Sequence, residues 1–142
     1  MTLPELAVDL PEGWSHRRDV APFALVARAD PWPTRLAPNL LVAVTPADPG
    51  QSPEAYLAAQ IQGVATTLVE PVLLDASADR RARTVTFLVA HATGGADLTV
   101  LQHHSHTDDG YVIAAAGTAA DGDWPEVAAT LYALVRSVRV AS

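Results

Sequence analysis

The chain has 142 residues, 49% of them apolar and 18% charged, with sixteen Asp and Glu against nine Arg and a formal charge of −7. This is the profile of one globular domain over residues 1–142. It contains no Lys and no Cys, which excludes a P-loop lysine, Schiff-base chemistry, a thiol nucleophile and a thiolate zinc site. The negative charge repels phosphate, and the arginines fall in short groups such as Arg17 with Arg18, so no nucleic-acid partner is expected.

Met1 to Leu6 shows no basic segment followed by an apolar core, and no apolar run approaches the roughly 20 residues of a membrane span. The expected compartment is therefore the cytoplasm, without membrane insertion. Leu6 to Leu10 alternates at period two and stops at Pro11-Glu12-Gly13, which predicts a short strand ending in a turn. Pro22 to Ala29 and Asn39 to Thr45 read as two more strands. Leu40 to Val44 is apolar on both faces, as in a strand covered by helices on both sides. Between these runs, Pro31, Pro33 and Pro38 stiffen a loop that displays Trp32 and Arg35. A rigid aromatic there suits contact with a partner, or folds back over a sheet edge. Trp14 and Trp124, beside element ends, are expected core anchors.

Ser52-Pro53-Glu54 predicts a helix start: a side-chain cap, Pro at the first helical position and a carboxylate against the dipole. Leu57, Ile61, Val64 and Leu68 then recur at helical spacing as one buried stripe. Gly63 costs that helix about 1 kcal/mol relative to Ala, which suggests close packing on the sheet. Beyond Pro71 the period falls to two. Val72–Asp75, Arg83–His91, Leu98–Thr107 and Tyr111–Thr118 read as four strands of a meander, with turns at Thr93-Gly94-Gly95 and Asp108-Asp109-Gly110. Asp123 caps a last helix with the stripe Trp124, Val127, Leu131, Leu134 or Val135, and Val138, and with Arg136 and Arg139 at its end. The order predicts an α+β fold: an antiparallel sheet of six or seven strands carrying two amphipathic helices.

On a strand, His104 and His106 share a face with Gln102 while His103 points away. With His91 on the preceding strand, and Asp108 or Asp109 nearby, they form a candidate metal set; the other reading is partly exposed strand histidines. A tight Asp109-Gly110 turn sets His104 opposite Ala115 and Gln102 opposite Gly117, leaving room above the sheet for a ligand or for a helix. Ser105 and His104 point to opposite faces, and no nucleophile elbow, His-Glu-x-x-His helix or dinucleotide-binding turn occurs, so no catalytic set and no cofactor is expected.

The landmarks Leu10-Pro11-Glu12-Gly13-Trp14, Pro38-Asn39-Leu40, the helix from Pro53 containing Tyr56, and the Trp124 helix running into Ser137-Val138-Arg139 resemble the PsbP-like α/β/α sandwich superfamily, and within it the actinobacterial LpqN-type proteins. The likeness spans roughly Leu6 to Val140, though each motif is short. It implies binding and not turnover: members include a photosystem subunit, a nuclear-transport factor, mycobacterial lipoproteins and chaperones of secreted effectors. The expectation is a non-catalytic protein-binding domain, an adaptor or chaperone-like accessory factor linked to secretion or the cell envelope. It acts as a monomer or homodimer and uses Trp32, Arg35 and Tyr56 as contacts. Unlike the LpqN pattern, the sequence shows no export signal and no lipid-accepting Cys, which favours an intracellular role. The alternative is a small-ligand or metal-binding protein using His104, His106 and His91.

Overall fold

Residues 3–34 and 36–142 are described by a computed structural model. The elements run β1 (Leu6–Ala7), β2 (Trp14–Val20), β3 (Phe23–Ala29), β4 (Asn39–Pro46), α1 (Pro53–Thr67), β5 (Val69–Asp79), β6 (Thr84–Thr93), β7 (Ala96–His106), β8 (Tyr111–Ala120), α2 (Trp124–Ser137) and β9 (Arg139–Val140). Seven strands form one antiparallel sheet in the order β2-β3-β4-β8-β7-β6-β5, the expected α+β architecture. Two hairpins join in its middle: β4 pairs with β8, so residues far apart in sequence share the central ladder.

The two helices lie on opposite faces, as the cross-strand register shows. Gly117 of β8 faces Leu131 and Val135 of α2, whereas His104, paired with Ala114 an odd number of residues along β8, touches Tyr56 of α1. On a strand, neighbouring positions point to opposite sides. The main core lies under α2, where Val127, Leu131, Leu134 and Val135 pack onto Leu25, Leu40, Val42, Leu101 and Ile113. That stripe matches the sequence expectation.

Several expectations need correction. β2, the sequence Trp14-Ser15-His16-Arg17-Arg18-Asp19-Val20, is a strand that hydrophobic periodicity does not reveal, because it is an edge strand exposed over all but Trp14. β1 is only two residues long and stands outside the main sheet, pairing with β9 through Leu6 opposite Val140. The Ser52 cap forms as expected, accepting from the Ala55 amide, but the α1 stripe is only half-buried and contains no fully buried residue. Gly63 marks no close approach, since a Cβ there meets open space. The tight helix–sheet contact belongs instead to Gly117, where a Cβ would come within 3.3 Å of both Leu131 and Val135.

The β7–β8 hairpin is offset by one residue from the expected register. His104 lies opposite Ala114 and Gln102 opposite Ala116, while Gly117 opposes Leu101. The loop contains three residues, Asp108, Asp109 and Gly110, closed by the Thr107 amide donating to the Tyr111 carbonyl at 2.8 Å, with Gly110 at φ +92°. Three-residue loops with a left-handed Gly are the next most common hairpin after the two-residue form. One extra loop residue moves every cross-strand partner by one.

Candidate functional site

α1 is anchored on the sheet by a polar relay. The Tyr56 hydroxyl lies 2.6 Å from His104 Nδ1, and His104 Nε2 lies 2.8 Å from Gln102 Oε1. An amide oxygen only accepts, so His104 carries its proton on Nε2 and Nδ1 accepts from Tyr56. Phe87 also packs against the imidazole, with ring centroids 5.5 Å apart, and His104 is 4% exposed. Burial drives the His104 pKa down to about 4, with further depression from the nearby His103 and His106, and pushes the Tyr56 hydroxyl up to about 12. Both groups are neutral near pH 7, and both ring nitrogens of His104 are used within the chain.

The three candidate metal-binding histidines are not brought together. His91 lies opposite Leu98, six residues along β7 from His104, which is roughly 20 Å at strand spacing, and it bonds Thr93. His106 stacks edge-on against Tyr56 with centroids 5.1 Å apart and sits near the Arg83 carbonyl. Among the described residues no group of three or more His, Cys, Asp or Glu is arranged to hold a metal ion. His103 points away from His104, as expected, which puts it on the α2 face, and it pairs with Thr86; burial, then the Arg136 charge, hold its pKa below the usual imidazole range.

Of the expected contact residues, Tyr56 is committed to the relay and Arg35 lies outside the described residues. Trp32 is not a free aromatic: it is half-buried against the main core, and its indole Nε1 donates to Asp123 Oδ2 at 3.3 Å. Thr34 donates to the same oxygen at 3.1 Å. Asp123 therefore makes no side-chain cap to α2; its carboxylate ties the proline-rich loop to the helix start instead. Asp123→Ala removes two acceptor contacts and is expected to cost about 1–2 kcal/mol, lowering Tm by roughly 3–6 °C. Thermal unfolding, together with a red shift in tryptophan emission, checks this.

The most conspicuous accessible surface was not among the expected contacts. β5 forms one free edge of the sheet, pairing only with β6, and it exposes Val69, Val72, Leu73 and Leu74 by 45–61%. Register shifts between Val69 and Val72 and between Leu73 and Asp75 break the alternation that would hide part of such a run. Glu70, Asp75 and Asp79 lie on the same strand and make this edge acidic as well as apolar. The opposite edge, β2, is polar and carries Arg17 and Arg18. The sequence did hold a signal: Val72-Leu73-Leu74 is a run of three apolar residues, a length that fits neither alternation nor a helical stripe.

A seven-stranded antiparallel sheet between two single helices, with apolar side chains exposed along one edge, defines an α/β/α sandwich. No family model and no curated protein matches the sequence. Solved structures do match the fold. LpqN of Mycobacterium tuberculosis, described as involved in cell envelope biogenesis, superposes with a TM-score of 0.73 at 12% identity, covering 99% of this chain and 85% of that one. The cyanobacterial PsbP protein of Synechocystis superposes with a TM-score of 0.66 at 14% identity, over 96% of this chain and 92% of that one. A Pseudomonas aeruginosa protein of unknown function reaches 0.54 at 14% identity, over 93% and 80%. The chain has the PsbP-like fold, related to that of LpqN, as the sequence landmarks imply. No helix is long and apolar enough to cross a membrane, among the described residues.

Proposed function

We propose that this chain is a non-catalytic protein-binding domain, an adaptor or chaperone-like accessory factor, whose docking element is the free β5 edge. The observation that carries the reading is the apolar group Val69, Val72, Leu73 and Leu74 on a strand with one free edge. Exposed edges invite strand addition, and although Pro71, two register shifts and the acidic residues blunt part of this one, its apolar side chains stay accessible. The acidic flanks Glu70, Asp75 and Asp79 select a partner segment that is extended and apolar and carries Lys or Arg. The envelope role stated for LpqN supports a link to that process. In this reading the chain acts in the cytoplasm, which fractionation of host cells tests.

The experiment is affinity purification of the tagged chain from its host under mild detergent, quantified by mass spectrometry, against a Leu73→Lys, Leu74→Lys variant. Both residues are exposed, so the variant is expected to fold, and thermal unfolding checks that it does. Recovery of the partner should fall at least about tenfold, because apolar contact is lost and a like charge is introduced. Undiminished recovery would sink the β5 reading.

A further inference from the structure

The β2–β3–β4 part of the sheet face that α1 occupies lies on the far side of the sheet from the β5 edge and carries unusual charge. Register places Ser15, Arg28 and Asn39 in one cross-strand row, and Arg17, Val26 and Leu41 in the next. These six line a concavity of about 490 Å³, with half-buried Val26 and Leu41 as its floor. None of its lining residues is acidic, in a chain that carries sixteen acids.

The two guanidinium groups here stand apart from most of the others. Arg80, Arg83 and Arg139 pair with Glu54, Asp108 and Asp9; Arg18 donates to the Leu6 carbonyl, and Arg136 lies over the Tyr132 ring. Arg17 and Arg28 have no acceptor among the described residues. Arg81 shares that state, but it lies on an exposed turn and lines no described concavity. Arg17 and Arg28 occupy diagonal positions on neighbouring strands, where Cα atoms are about 7–8 Å apart, so their like charges repel unless an anion lies between them. Ser15 and Asn39 add neutral donors on either side of Arg28.

We propose that this concavity binds a small organic anion, a carboxylate or phosphate monoester carried on a compact apolar body. Arg17 and Arg28 take the oxyanion, since a guanidinium fork matches carboxylate and phosphate geometry. Val26 and Leu41 take the apolar body. The volume falls within the roughly 300–1,000 Å³ typical of small-molecule sites, and the footprint, three strands by about two residues, suits a small molecule better than a protein segment.

The test is backbone amide NMR of the full chain titrated with phenyl phosphate and, separately, phenylacetate, with benzyl alcohol as the uncharged comparator. At least one anion should give saturable shifts at Ser15, Arg17, Val26, Arg28, Asn39 and Leu41, with a dissociation constant of about 0.1–5 mM. The arm that binds tighter identifies the oxyanion. Benzyl alcohol should bind at least about tenfold more weakly, as should either anion to an Arg17→Gln, Arg28→Gln variant, and added salt should weaken the complex. Both arginines are exposed, so the variant keeps its fold, which its own amide spectrum verifies. No saturation by about 20 mM, saturable shifts that map elsewhere, or equal affinity in the variant overturns the proposal.

Discussion

Leu131→Ala is expected to destabilise the chain by about 3–5 kcal/mol and lower Tm by roughly 10 °C or more, read by thermal or denaturant unfolding. Leu131 is fully buried and stands at the centre of the α2 contact with the sheet. Its neighbour across the interface is Gly117, which has no side chain to move into the void, so the cavity stays open and the cost falls in the upper part of the usual range. The same geometry predicts strong coupling. Gly117→Ala alone crowds Leu131 and Val135 at 3.3 Å and is destabilising. In the Leu131→Ala background the added methyl enters the vacated space and should recover about 1 kcal/mol, so the two effects are not additive. Equal effects of Gly117→Ala in both backgrounds would contradict this packing.

Stability should fall steeply on acidification between pH 6.5 and about 4. His104 titrates near 6.5 when unfolded and at about 4 in the folded chain, because burial penalises the imidazolium and His103 and His106 depress it further. Within that window the unfolded state binds the proton and the folded state does not, so stability present at neutral pH is lost as pH falls. The difference between the two values amounts to about 3 kcal/mol, and His103, also depressed, acts with the same sign. Above pH 6.5 the pair contributes no slope. Urea unfolding from pH 7 to 4.5 measures the loss; a His104→Gln variant, less stable at pH 7, should show a much shallower dependence. A variant with the full wild-type slope would show that His104 is not the cause.

Protonated His104 donates from Nδ1, so on acidification Tyr56 must turn its hydroxyl to accept, and the α1 anchor changes its donor. Among the described residues Tyr56 is the α1 residue that hydrogen-bonds a histidine of the sheet, and α1 carries no fully buried residue. The half-buried stripe of Leu57, Ile61 and Val64 supplies the apolar part of the helix's contact with the sheet.

The residues that announced themselves did so through local physics. The α2 stripe, the Ser52 cap, the glycine turn at Gly94-Gly95 and the antiparallel strands each depend on a few consecutive side chains and on backbone sterics, and each lies where periodicity and turn chemistry put it. His104 and His106 share a face, as strand alternation requires. β2 escaped because an exposed edge strand has no buried face to impose alternation.

What tertiary structure alone decided is which local features meet. One extra residue in the Asp108–Gly110 loop moved the β7–β8 register, gave Gly117 to α2, and set His104 beside Tyr56 with no third ligand. Pairing of β4 with β8 left β2 and β5 as the two edges, so an ordinary apolar run became an exposed sheet edge and two arginines met over an apolar floor. The sequence by itself determined the α+β class, the helix starts and the buried face of α2, because these follow from neighbours in the chain. The candidate sites are sums of contacts between strands distant in sequence, and their register and order are set by the whole sheet.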